Sequence, residues 1–274
     1  MRNIVLGLIV STAVSGVASA EFEGVIETKI TSTGGHASNA TGKTYVSKAG
    51  WRSEVEMQMP DFGQGKPGAA KAPGTQTHHM VMMGKLAEPG RIYSLNESTK
   101  TYAVINTNDM KTPGQNQEKW TIKRLGKDSV AGLGCEKVLA TEEGQKRQIE
   151  ACISREILTG DWLKSMESIR RGTGWMQAVK DAGVQGFPVR MVMSSGEPNS
   201  PRTTMEVTRI ERQSVPSSLF EVPAGYKESS VMGTMMSPEA QKAMQKAMEN
   251  MTPEQRRQME EMMKKMGQPT PKPN

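Results

Sequence analysis

Short segments of alternating apolar and polar residues follow one another from residue 22 to about residue 208, and this pattern limits the fold more than any other feature. In the first segment, Ile26, Thr28 and Ile30 would lie on one side of a strand. Hairpins are predicted between residues 44–47 and 51–57, between 91–95 and 100–105, and between 187–193 and 203–210. Residues 78–83 and 120–125 predict further strands. The intervening residues 60–76, rich in Gly, Pro, Ala and Lys, predict a surface insertion.

One helical segment interrupts the strands, at residues 155–181. Its apolar residues recur at three- and four-residue intervals, and Gly172 and Gly174 break it before a last turn or two. About ten antiparallel strands and one helix indicate a mainly β (α+β) fold, a curved antiparallel sheet whose apolar face the helix covers. The apolar residues with this spacing are Leu158, Trp162, Leu163, Met166 and Ile169.

The first twenty residues have the pattern of a secretory signal peptide. Arg2 supplies a positive charge, residues 4–17 are apolar or small, and Ala18 and Ala20 form the small-x-small cleavage pattern. Cleavage after Ala20 predicts a periplasmic or secreted bacterial protein. No later segment approaches the roughly 20 apolar residues of a membrane helix, so we expect no transmembrane span in the mature protein.

The two cysteines lie in a predicted hairpin of residues 134–140 and 146–153. If Glu143 and Gly144 form its turn, Cys135 stands directly opposite Cys152, within bridging distance. Export permits such a bond. A structural disulfide is the favoured interpretation, with two free thiols as the alternative. A redox-active pair is disfavoured because the C-x-x-C spacing is missing.

The charge and the motifs exclude some classes of function. The formal net charge of +6, from 35 basic and 29 acidic residues, is spread along the chain and does not favour nucleic-acid binding. The sequence contains none of the H-E-x-x-H, G-x-S-x-G, phosphate-loop or dinucleotide-binding motifs. We therefore expect a protein that is not an enzyme and needs no cofactor.

Several strand-and-turn motifs, in order, resemble a family of exported bacterial proteins known only as domain of unknown function 4412. The motifs are the stretches at residues 91–102, 130–137, 186–189 and 218–226. The family's fold is similar to the lipoprotein carriers LolA and LolB. The resemblance implies a half-barrel of antiparallel strands with a helical lid, and a concave face like the one that holds acyl chains in the carriers. It implies no catalytic or ligand residues.

Methionine dominates the end of the chain, where two amphipathic helices are predicted, starting near Ser237 and Thr252. Met259, Met262, Met263 and Met266 share a face of the second. Such a face could pack on the protein itself, bind an apolar partner, or bind a soft ion such as Cu(I). Residues 78–83 bear on the last alternative, because His78, Met80 and Met82 would lie on one side of a strand. The competing interpretation is an ordinary core strand.

These observations divide the chain into a signal peptide (1–20), a LolA-like half-barrel domain (21–228) and a methionine-rich helical tail (229–274), partly disordered. We expect a binding protein that holds an apolar or lipidic ligand or partner in its concave face. One alternative is soft-metal binding through the tail and the His78 strand. Another is a structural envelope component that assembles with a protein partner through the tail.

Overall fold

The computed structural model describes residues 22–34, 39–60, 75–107, 119–157, 174–197 and 200–235, with the single residues 252, 254 and 257. These ranges contain twelve strands, two short α-helices and a 3-10 helix. The strands are β1 (Gly24–Thr33), β2 (Asn39–Ser47), β3 (Gly50–Pro60), β4 (Thr75–Lys85), β5 (Arg91–Asn96), β6 (Thr101–Asn106), β7 (Trp120–Val130), β8 (Leu133–Glu142), β9 (Gln148–Ser154), β10 (Phe187–Ser194), β11 (Arg202–Arg212) and β12 (Lys227–Glu228). The helices are α1 (Gly174–Asp181), the 3-10 helix (Ser217–Phe220) and α2 (Val231–Met235).

All twelve strands belong to one sheet, in the order β12-β6-β5-β4-β3-β2-β1-β11-β10-β9-β8-β7. Every neighbouring pair is antiparallel except β12 and β6, which run parallel. The mainly β fold is therefore confirmed. All of the predicted segments form strands. The two-residue β12, which follows the last of them, brings the count to twelve, above the expected ten or so.

The predicted hairpins form where the sequence places them. β2 and β3 pair up to Ser47 and Gly50, so only two residues connect them. Between β5 and β6, the Asn96 side-chain oxygen accepts hydrogen bonds from the backbone N–H groups of Ser98 and Thr99, both at 3.1 Å. This Asx-type turn explains why a polar stretch ends one strand and starts the next.

The predicted helix of residues 155–181 is described only at its two ends, and its first residues are not helical. Residues 155–157 follow β9 as bends, and Ile157 is buried without being helical. Helix α1 starts at Gly174, the last residue of the predicted break, and buries Trp175, Met176 and Val179. The stretch from Leu158 to Ile169 that suggested the first part of the helix lies outside the described residues.

One face of the sheet, here called the apolar face, carries the main core. Val138 on β8, Ile149 on β9 and Met191 on β10 share this face by their strand register. Helix α1 contacts β7 and β8, and the Arg124 guanidinium on the apolar face of β7 donates to the Ala182 carbonyl at 2.5 Å. Helix α1 therefore covers one end of the apolar face.

At the other end of the sheet, the opposite face is covered by the segment that follows β11, which we call the C-terminal segment. A second cluster of buried side chains, Val81, Met83, Tyr93 and Leu95, packs there with Tyr102, Val104, Val222 and Tyr226. The Ser229 N–H then bonds to the Tyr102 carbonyl at 2.8 Å. Helix α2 contacts β5 and β6. Residues 229–235, assigned to the tail by the sequence, thus pack against the sheet.

Cys135 and Cys152 form a disulfide with 5.4 Å between their Cα atoms. The register that suggested it is wrong by two residues, because Cys152 pairs with Lys137 and Cys135 is its diagonal neighbour. The turn is wider than a two-residue loop, since the Glu142 N–H bonds to the Arg147 carbonyl. Residues two apart on a strand point to the same side, so the thiols still meet.

Candidate functional site

A row of aligned residues crosses six strands of the apolar face. It runs from β10 to β4 through direct pairings in the order Met191, Met205, Ile30, Ala40, Met57 and His78. Met191 and Met205 are buried, only 4% and 8% exposed, whereas Ile30 and Met57 are half-buried and His78 is exposed. Along this row, the side chains are therefore more exposed on β3 and β4 than on β10 and β11, while Ala40 of β2 is 7% exposed.

The less covered part of this face consists of aliphatic and thioether side chains. Met80 and Met193 are each 39% exposed, among the most exposed large apolar residues in the described ranges. The others are half-buried. We call this set the open apolar patch: Ile30, Val55, Met57, Met80, Met82 and Met193. Register places all of them on the apolar face. These side chains alternate with polar ones as core residues do, but they stay half exposed. The sheet is therefore incompletely covered at this place.

A rigid indole bounds the patch on β3. Trp51 is 1% exposed and lies directly opposite Gly84 of β4. A Cβ atom at Gly84 would stand 2.6 Å from the Trp51 ring nitrogen. Only glycine therefore leaves room for the indole, and the two residues together fix the inner end of the patch. The sequence offered no signal for this pairing, because glycine in a strand has several explanations.

The opposite face carries ion pairs at the β7–β10 end of the sheet. Lys137 and Glu150 form an ion pair there at 3.1 Å, and Arg190 and Asp128 another at 2.6 Å. The Ser129 N–H, followed by the Arg190 guanidinium, lowers the pKa of the Asp128 carboxyl below its ordinary value. Half-exposed ion pairs of this kind indicate contact with water. At this end of the sheet, the opposite face is therefore in contact with water.

The two adjacent histidines of β4 lie on different faces. His79 lies on the opposite face, where its Nδ1 is 3.2 Å from Glu97. Glu97 also pairs with Arg52, which is only 8% exposed and bonds Glu54 at 2.7 Å. His78 lies beside the thioethers of the open apolar patch and has no hydrogen bond or ion pair within the described part of the chain. His79 therefore lies in a network of charged groups, and His78 lies on an apolar surface.

The C-terminal segment is held to the opposite face by polar contacts that the sequence did not predict. The Tyr93 hydroxyl donates to Glu88 at 2.6 Å, and Lys85 bonds Glu221 of the segment. The hydrogen bond from Tyr93 lowers the pKa of Glu88, and burial raises the pKa of Tyr93. The bond to Glu221 raises the pKa of Lys85. Lys85 therefore joins the end of β4 to the segment, and Tyr93 joins β5 to the β4–β5 turn.

An open cleft of about 620 Å³ lies beside Met193, between the β8–β9 loop and the end of β10. Its two cations are already paired, Lys146 with Glu197 and Arg147 with Glu142. The cleft is therefore a poor site for a free anion, since a bound anion would compete with carboxylates in place.

Only part of the candidate residues from the sequence can be located. His78, Met80 and Met82 do share one face of β4, as alternation predicted. Ala18 and Ala20 lie outside the described residues, as do Met259, Met262, Met263 and Met266. Within the described ranges no three His, Cys, Asp or Glu side chains cluster as possible ligands of a metal ion. No helix in those ranges has the length and apolarity to cross a bilayer.

Comparison with solved structures found distant likenesses. The first is MucB in complex with MucA(peri), 11% identical with a TM-score of 0.35, and the second is MucB alone, 10% identical with a TM-score of 0.37. Both matches cover 76% of this chain, which spans 55% and 60% of the MucB chains. A LolA superfamily protein, NE2245 from Nitrosomonas europaea, is 7% identical with a TM-score of 0.30, over 73% of this chain and 90% of that one.

Comparison with curated proteins found no match. A family model described as a domain of unknown function matches residues 22–226, from two residues before β1 to the C-terminal segment. That range includes the whole sheet except β12 and both faces described above. The protein therefore belongs to the DUF4412 family.

Proposed function

We propose that this protein is a non-enzymatic binding protein of the bacterial periplasm or medium, and that its apolar face holds an acyl chain of a lipidic ligand. The observation that carries the proposal is the open apolar patch. Its residues alternate correctly for a core, yet they remain half exposed on the face that carries the main core.

The composition of the patch suits an acyl chain better than a rigid ligand. Met57, Met80, Met82 and Met193 have unbranched side chains with three rotatable bonds, which adapt to irregular apolar shapes. Burying a CH₂ group is worth about 0.8 kcal/mol. A chain of eight to ten buried CH₂ groups would therefore supply roughly 6–8 kcal/mol before the cost of ordering it.

Two features support a location outside the cytoplasm. The Cys135–Cys152 disulfide is of a kind that persists in oxidising compartments. The first twenty residues have the composition of a signal peptide.

The experiment is a titration of the mature chain, residues 21–274, with a fluorescent fatty acid whose emission rises in apolar surroundings. We compare Met193→Lys, which places a charge in the patch, with Val192→Lys, its half-buried neighbour on the opposite face. The proposal predicts saturable binding that Met193→Lys weakens and Val192→Lys leaves intact.

Two outcomes would contradict the proposal. If both variants bind like the parent, the probe occupies another surface. If the parent does not bind the probe and lipid extraction of protein purified from the periplasm yields no bound lipid, the patch holds no acyl chain. A native lipid found by that extraction would instead explain the missing probe signal and support the proposal.

A further inference from the structure

We propose that Met57, His78 and Met80 form a binding site for a monovalent soft metal ion of the Cu(I) class, at the β4 end of the apolar face. The proposal rests on these three described side chains alone. Met57 and Met80 also belong to the open apolar patch, so a metal ion and an acyl chain would share part of that surface. The metal site is tested separately, because His78 lies outside the patch and Met193 is not a proposed metal ligand.

The backbone register brings the three residues together. Met57 of β3 is directly opposite His78 of β4, and Met80 follows two residues later on the same face. Directly opposed Cβ atoms lie about 4.5–5.5 Å apart, and diagonal ones about 7–8 Å apart. Residues two apart on a strand are separated by about 7 Å. The triangle is small enough for two flexible thioethers and one imidazole to converge on a single ion.

The exposure of the residues distinguishes this group from ordinary core methionines. Val81 and Met83, which alternate with Met80 and Met82 on β4, are fully buried in the cluster on the opposite face. Met80 is 39% exposed and His78 is exposed. A side chain that only fills a core is not left accessible at this level, so an ion can reach the site without unfolding.

The ligand chemistry selects the class of ion. Thioether sulfur is a soft donor that suits Cu(I), and imidazole also binds copper. No carboxylate is directly opposite His78, whereas His79 lies opposite Glu56 and pairs with Glu97. Hard ions such as Mg²⁺ or Ca²⁺ need oxygen ligands. The site therefore favours a soft monovalent ion over a hard divalent one.

The adjacent histidine provides a matched control. His79→Ala removes an imidazole one residue away, on the other face of the same strand, and His78→Ala removes the proposed ligand. Both positions are exposed, so neither substitution threatens the fold. The probe is Ag(I), a redox-inert soft ion, added to the mature full-length chain with isotope-labelled methionine methyl groups and histidine rings.

At one equivalent of Ag(I), we expect the NMR signals of the His78 ring and of the Met57 and Met80 methyl groups to shift together. Loss of groups that only orient a metal ligand costs about 10–100-fold in affinity, so His78→Ala should weaken the tightest binding by at least about tenfold. His79→Ala should leave that affinity unchanged.

Either of two results would overturn the assignment. One is equal Ag(I) affinity in the His78→Ala and His79→Ala variants. The other is a shift confined to methionines beyond residue 235 while the Met57 and Met80 methyl groups stay in place. Mg²⁺ tested at the same concentration should shift none of the three residues, and a shift with Mg²⁺ would contradict the choice of a soft ion.

Discussion

Two apolar surfaces of the sheet have similar composition but differ in how the chain covers them. On the opposite face, Met83 and its neighbours are sealed by Val222 and Tyr226 of the C-terminal segment. On the apolar face, Met80 and Met193 keep 39% of their surface. Strand β4 contributes to both surfaces, because Met80 and Met83 belong to this strand and point to different faces. The covering segment, and not the strand pattern, therefore separates the core from the candidate binding surface.

The largest expected effect comes from comparing these two methionines directly. Met83→Ala opens a cavity in a sealed cluster and should lower the free energy of unfolding by about 2–5 kcal/mol. Met80→Ala removes a half-exposed side chain and should cost below about 1 kcal/mol. Urea denaturation of both variants checks this. Equal losses would mean that the apolar face is as well packed as the sealed cluster.

The disulfide should contribute stability without affecting the open apolar patch. It closes a loop across a sequence separation of 17 residues, for which loop entropy gives about 3 kcal/mol. The double variant Cys135→Ser with Cys152→Ser should therefore unfold at lower urea concentration and bind the fluorescent fatty acid unchanged. Lost binding in a still folded double variant would connect the disulfide to the patch, against the account.

A smaller effect is expected where Asn96 holds the C-terminal segment. Its side-chain amide donates to the Thr234 carbonyl at 2.8 Å, and its oxygen supports the β5–β6 turn. Asn96→Ala should cost roughly 1–2 kcal/mol. Hydrogen exchange should accelerate at Ser229, whose N–H bonds to Tyr102. If exchange accelerated on β1 instead, the segment would not be a separate covering unit.

The smallest effect is a loss of stability at alkaline pH. The pKa of Lys85 is raised by its bond to Glu221, and the pKa of Tyr93 is raised by burial. A raised pKa gives a contribution that is complete below the unfolded pKa and is lost as pH rises through the folded pKa. Stability should therefore fall above about pH 10. In Glu221→Gln this fall should shrink, and an unchanged pH profile would contradict the role of Lys85.

The sequence predicted the strands well because their determinants are local. Alternation and turn residues defined the hairpins at residues 47–50 and 96–101, and the side-chain bonds of Asn96 show the physical cause. The disulfide was also predicted, although from a register displaced by two residues. The error did not matter, because Cys135 keeps its face under a two-residue shift.

The coverage of each face could not be predicted, because it depends on contacts between distant segments. Val222 and Tyr226 reach β4–β6 across more than a hundred residues, and nothing in their local pattern specifies that partner. The same holds for Gly84 beside Trp51. Alternation already placed His78 and His79 on different sides of a strand, but only the register with β3 and the position of Glu97 show which environment each one has.

The most direct test of the account follows the methionine methyl NMR signals while the mature chain is titrated with a lysophospholipid below its micelle concentration. The account predicts that Met57, Met80, Met82 and Met193 shift together and saturate, while Met83 stays in place. Shifts at Met83 alone, or at none of the methionines of the open apolar patch, would contradict the claim that the apolar face is a binding surface.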